Sequence, residues 1–169
     1  LQTAWAQSGK PLRLIVPFTP GGSTDILARA IAPKLALALG QTVLIDNRPG
    51  AGGSLGAGEA AKAEPDGQTL LMGHIGTLAV NPAIYPRLSY DPLKSFVPVA
   101  WVARVPNVLV VPANSPAKSF KQFIELARAK PGQMTFSSGG NGSAAHITFE
   151  YLKLRSKIFM LHIPYRGTA

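Results

Sequence analysis

Two glycine-rich turns carry the groups best suited to chemistry. The first is Pro20-Gly21-Gly22-Ser23-Thr24 and the second is Ser137-Ser138-Gly139-Gly140-Asn141-Gly142-Ser143. Each follows a short apolar run and opens a helix-like segment. A helix start leaves backbone N–H groups unpaired and carries partial positive charge, so it attracts anions. Glycines let a ligand approach the backbone. The hydroxyls of Ser23, Thr24, Ser138 and Ser143 can cap the helix or reach the ligand. Asp25 competes for the same dipole at the first turn, whereas the second meets no acid before Glu150. A ligand carboxylate is therefore expected nearer the second turn, around Ser138, Gly142 and Ser143. Either turn alone is more often an ordinary strand-to-helix connection with a capping serine; two in matching positions on a basic chain bring the two readings nearer even.

Sharper motifs fare worse. Gly52-Gly53-Ser54-Leu55-Gly56 matches the G-x-S-x-G elbow of hydrolases, which needs a strand running directly into the serine. Arg48-Pro49-Gly50-Ala51 intervenes. There is no G-x-G-x-x-G and no G-x-x-x-x-G-K-[ST], so nucleotide binding has no support. His74, His146 and His162 lack ligand-like spacing, and no metal site is expected. His146 lies in the first turn of the second loop's helix, where it can meet a ligand or brace the loop. Phe18 and Tyr165 follow strands and can wall a cleft.

Composition bounds the rest. The 169 residues include no cysteine, which removes disulfides, thiolate zinc sites and a thiol nucleophile. Hydrophobic residues are 46% and charged residues 15%, which excludes a disordered chain. No apolar run nears the roughly 20 residues that span a bilayer. The formal charge is +9, from 17 Lys+Arg against 8 Asp+Glu. The basic residues are scattered and no aromatic residues interleave with them, so a solvated basic surface is read rather than a nucleic-acid platform. Ala4-Trp5-Ala6 fits the A-x-A rule of signal-peptide cleavage, so residues 1–6 read as a signal remnant.

The elements positioning the turns alternate. Strands are predicted at Leu12–Val16, Thr42–Ile45 and Thr69–Met72, with a helix over Ile26–Leu39 and an alanine-rich helix near Glu59–Ala63. Gly40 caps the first helix, and Pro33 should kink or shorten it. This order argues a parallel sheet covered by helices. A helical stretch is predicted around Leu78–Ile84, then strands at 97–103 and 107–112. Beyond them come a helix capped by Ser119 and Gln122, with Phe120, Ile124 and Ala127 on one face, and a strand at Met134–Phe136. A helix over Ala144–Lys153 and a strand at Ile158–Ile163 complete a second lobe of about 55 residues, which reads as unfinished.

The ordered motifs resemble one family. Leu14-Ile15-Val16-Pro17-Phe18 with Pro20–Asp25, and Asp46-Asn47-Arg48-Pro49-Gly50-Ala51-Gly52-Gly53, look like signatures of the Bug-type solute-binding proteins of tripartite tricarboxylate transporters. Pro65-Asp66-Gly67, Asn81-Pro82, Tyr90-Asp91-Pro92 and Pro106–Val111 follow in family order. Ser137–Ser143, His146 and His162–Gly167 complete the set, over residues 11–168. The resemblance implies an α/β, two-lobe periplasmic-binding-protein fold of type II-like topology, with residues 7–105 as first lobe and 106–169 as an incomplete second. It implies a periplasmic, monomeric protein that catalyses no reaction and needs no cofactor. A small carboxylate would sit between the lobes and pass to the transporter's membrane components. The implied ligand-binding residues are Phe18, Gly22, Ser23, Gly76 and Thr77 from the first lobe. Ser138, Asn141, Gly142, Ser143, His146, Tyr165 and Gly167 follow from the second. Family members are nearly twice as long, so a truncated relic that binds nothing stands as an alternative, beside a hydrolase using Ser54.

Overall fold

A computed structural model of the chain describes residues 9–165 and Gly167. The predicted signal remnant lies outside the described residues. The architecture is α/β. Strand β1 (Leu12–Val16), helix α1 (Ser23–Leu39), strand β2 (Val43–Asn47), helix α2 (Ser54–Ala61) and strand β3 (Thr69–Leu71) form the first unit. Its three strands are parallel in the order β2-β1-β3, with Leu14 opposite Ile45 and Leu70. Parallel neighbours need crossovers, and the two helices supply them.

Strand periodicity divides the work of β1. Leu12, Leu14 and Val16 bury against Ala28 and Met72, with Ile31 and Leu35 of α1 around them. Each such side chain contributes about 1.5–3 kcal/mol by leaving water. Arg13 points the other way and donates to Asp46 of β2 and Glu59 of α2, tying α2 across the sheet. Helix α1 runs unbroken through Pro33 and ends at Gly40, whose N–H meets the carbonyls of Ala36 and Leu37. Pro33 lies on the exposed side, where water can solvate the carbonyl that loses its partner. Helix α2 starts at Ser54, five residues before the predicted alanine-rich run.

The predicted stretch near Leu78–Ile84 is a single π-type turn over Gly76–Val80 running into helix α3 (Asn81–Ile84). The predicted strands at 97–103 and 107–112 do not form. Both segments run without helix or strand, and Val97, Val99, Trp101, Val108 and Val110 are exposed. A strand is stable only beside a partner, and neither segment has one among the described residues.

The second unit comprises helix α4 (Phe120–Ala129), strand β4 (Thr135–Ser138), helix α5 (Ala144–Ser156) and strand β5 (Leu161–Pro164). Strands β4 and β5 pair in parallel, with Phe136 opposite His162. Ser119 caps α4 by accepting from the N–H of Gln122, as predicted. Phe123 replaces Phe120 on its buried face, and Phe120 is exposed. Phe123, Ile124, Ala127, Phe136, Ile158 and Met160 form a separate core.

Candidate functional site

Both glycine turns sit where predicted, between a parallel strand and a helix start. They differ in charge. At the first, Gly22 is the N-terminal boundary of α1 and makes no side-chain cap. Asp25 is buried in the first helical turn. Its carboxylate accepts from the N–H of Gly21 (2.9 Å), from Arg29 Nε (2.9 Å) and from Asn47 Nδ2 (2.9 Å). The Arg29 hydrogen bond leads, and burial opposes it; the carboxyl is lowered to about 2. This turn therefore holds an anion of its own.

The second turn holds none. Ser143 caps α5 by accepting from the N–H of His146, and no acid lies in the first turn of α5. Among the described residues nothing accepts from the backbone N–H groups of Ala144 and Ala145. Those two donors, with the helix dipole behind them, form an anion site without a competing carboxylate.

Aromatic rings brace this turn. His146 and His162 stack with centroids 4.1 Å apart, and His162 stacks on Phe136 at 4.8 Å. His162 Nε2 lies 2.6 Å from Ser138 Oγ, and that hydroxyl also bridges the N–H and carbonyl of Gly140. His146 Nδ1 accepts from the N–H of Gly142 (3.2 Å). The serine hydroxyls expected to cap or to reach a ligand are thus divided: Ser143 caps and Ser138 braces the loop.

The two units meet at glycines. A Cβ placed on Gly76 would lie 2.6 Å from the carbonyl oxygen of Gly142, and one on Gly52 would lie 2.7 Å from that of Asn141. Backbone meets backbone along this seam. Phe18 stands edge-on to His74, with centroids 5.0 Å apart. Thr77 is fully buried, and its hydroxyl donates to the carbonyl of His74 and accepts from its N–H. Gly167 lies against Thr19, just before the first turn. Tyr165 is 62% exposed at the end of β5, and its N–H meets the carbonyl of Ser138. Ser23 and Asn141 are exposed at the two turns. The structure thus gathers Phe18, Gly76, Thr77, Gly142 and His146 near one seam, and leaves Tyr165 at its outer edge.

Sequence reasoning missed three contributors. Asn81 is fully buried beside the seam and donates to the carbonyl of Gly52 (3.0 Å) and to Ser54 Oγ (2.9 Å). Its Oδ1 has no partner among the described residues and lies 2.8 Å from where a Gly142 Cβ would be. A buried acceptor left so costs about 1–3 kcal/mol. His74 and His162 are the others. Asn81-Pro82 and His162 were visible as motif residues, but only packing gives them partners. Ser54 opens α2 and its Oγ accepts from Asn81 Nδ2; among the described residues no histidine hydrogen-bonds to it, as an activated serine of the Ser–His type would require. A surface hollow of about 430 Å3, lined by Leu109, Val111, Lys118, Phe120 and Phe123, lies away from both turns.

Known proteins share this fold. Residues 27–169 match the family described as the tripartite tricarboxylate transporter family receptor. The chain is 41% identical over 161 residues to Protein BugT of Bordetella pertussis, covering 95% of this chain and 49% of that protein. It superposes on a solved periplasmic transporter with TM-score 0.90 and 45% identity, covering 96% of this chain and 54% of the other. An R. palustris protein solved with adipate gives TM-score 0.90 and 38% identity, with the same coverage of both chains. The chain spans about half the length of the curated relatives it matches. The matching family is described as a receptor and the solved relative as a periplasmic transporter, so the comparisons give the hydrolase alternative no support. Over residues 27–169, which include the second glycine turn, the chain belongs to the tripartite tricarboxylate transporter family of receptors, and it is similar to the Bug-type protein BugT.

Proposed function

We propose that this chain is the ligand-capturing part of a periplasmic receptor, which binds a small carboxylate at the seam and presents it to the membrane components of a tripartite tricarboxylate transporter. The asymmetry of the two turns carries this reading. Asp25 supplies a carboxylate to the first helix start, and the second offers the Ala144 and Ala145 N–H groups with no acid in its first turn. A ligand carboxylate completes the second turn as Asp25 completes the first. The adipate in the R. palustris relative supports the ligand class.

In this reading Phe18, Gly22, Ser23, Gly76 and Thr77 line the seam from residues 7–105. Ser138, Asn141, Gly142, Ser143, His146, Tyr165 and Gly167 line it from residues 106–169. Contacts complete only in the closed arrangement shift the population toward closure when the anion binds. The protein acts as a monomer.

Thermal unfolding against a panel of mono-, di- and tricarboxylates tests the reading. A ligand binding only the folded chain at about 100 times its dissociation constant adds roughly 2.7 kcal/mol. One acid should raise the transition. A cooperative transition that no acid moves would overturn the reading.

A further inference from the structure

The seam is built from two histidine–glycine pairs, one on each side. His74 Nδ1 accepts from the N–H of Gly76 at 3.0 Å. His146 Nδ1 accepts from the N–H of Gly142 at 3.2 Å. Gly76 and Gly142 are the glycines that approach across the seam. Both pairs use the same chemistry: a ring nitrogen that accepts only while it carries no proton. In the neutral ring, the proton then belongs on Nε2.

We propose that His74 and His146 are paired positioning residues that hold Gly76 and Gly142 in register across the seam only while both rings are neutral. A proton on either Nδ1 sets donor against donor and releases that glycine. Acidification therefore loosens both sides of one contact together.

The surroundings of the two rings differ. His74 sits under the edge of Phe18, and burial pushes its pKa below the ordinary histidine value. His146 faces His162 of β5 in the ring stack and Phe136 of β4. On its own helix, Glu150 Oε1 lies 3.9 Å from Nε2, and Lys153 holds that same oxygen at 2.8 Å. Burial, and then the charge of His146, also lower His162, so two charged rings are disfavoured in the stack.

The proposal needs no bound ligand; its bearing on ligand release rests on the function proposed above. Amide hydrogen exchange on the ligand-free chain tests it, read at about pH 7.5 and about pH 5 and corrected for intrinsic rates. Protection of Gly76 and Gly142 should fall by about tenfold or more relative to the β1 amides, the size of one hydrogen bond's net contribution. In the double variant His74→Asn with His146→Asn, the amide oxygen takes the place of Nδ1 and does not titrate. That variant should keep its protection at both pH values. Unchanged protection in the native chain, or an equal fall in the double variant, would overturn the proposal. Should the variant fail to fold, the nitrogen-15 shifts of the native rings decide. Nδ1 unprotonated at about pH 7.5 supports it, and a proton found on Nδ1 of either ring overturns it.

Discussion

Gly76 and Gly142 oppose each other across the two units: a Cβ on Gly76 would stand 2.6 Å from the Gly142 carbonyl oxygen. Real Cβ atoms do not approach backbone so closely, so this contact admits no side chain at position 76. Gly76 lies in a helical turn, and its backbone conformation is one that any residue adopts. Substitution there tests the contact without straining the turn.

Gly76→Ala should therefore separate the units. Overpacking of this size costs about 1–3 kcal/mol, read in denaturant unfolding. Carboxylate affinity should weaken with it. Gly9→Ala is the control, because open space surrounds that position, and it should leave both quantities unchanged.

Asp25 sets an acid limit on stability. Its folded carboxyl is lowered to about 2, chiefly by Arg29. A lowered carboxyl stabilises the fold above its unfolded value, and the contribution is lost as pH falls through the ordinary carboxylate range toward about 2. The contribution at neutral pH is about 2 kcal/mol. Asp25→Asn should remove that segment of the stability–pH curve, measured by urea unfolding at stepped pH.

Two capping serines separate folding from binding. Ser119 and Ser143 each accept from a backbone N–H at 3.2 Å. Replacing either by alanine should cost about 1 kcal/mol of stability. Only Ser143→Ala should also weaken carboxylate binding, because only Ser143 opens the helix that presents Ala144 and Ala145.

Ser54 has a structural role. Ser54→Ala removes the acceptor that Asn81 Nδ2 uses inside the first unit. Stability should fall by about 1–2 kcal/mol. Ester hydrolysis should stay at the buffer rate in native chain and variant alike.

Much of the fold was legible because its signals are local. Branched apolar runs marked β1 and β2, Gly40 marked the end of α1, and Ser119 with Gln122 marked the start of α4. The absent strands at 97–103 and 107–112 show the limit of that reading. Val97, Val99, Val108 and Val110 have strand-forming side chains, but a ladder needs a neighbour that these residues cannot specify. Phe120 and Phe123 show the same on a smaller scale, since either satisfies a helical period until the core selects one. The two turns were legible from glycine and serine, and Asp25 gave their asymmetry. Asn81 and His74 were not, because their partners Ser54, Gly52 and Gly76 gain meaning only from the path of the backbone.

The most direct measurement is a titration of the isotope-labelled chain with adipate, following the backbone amides of Ala144, Ala145, Ser23 and Thr24. A carboxylate seated at the second turn should shift the Ala144 and Ala145 signals saturably, with smaller changes at Ser23 and Thr24, where Asp25 already supplies the charge. Saturable shifts at Ser23 and Thr24 with Ala144 and Ala145 unmoved, or no saturable shift at either turn with any acid of the panel, would contradict the account.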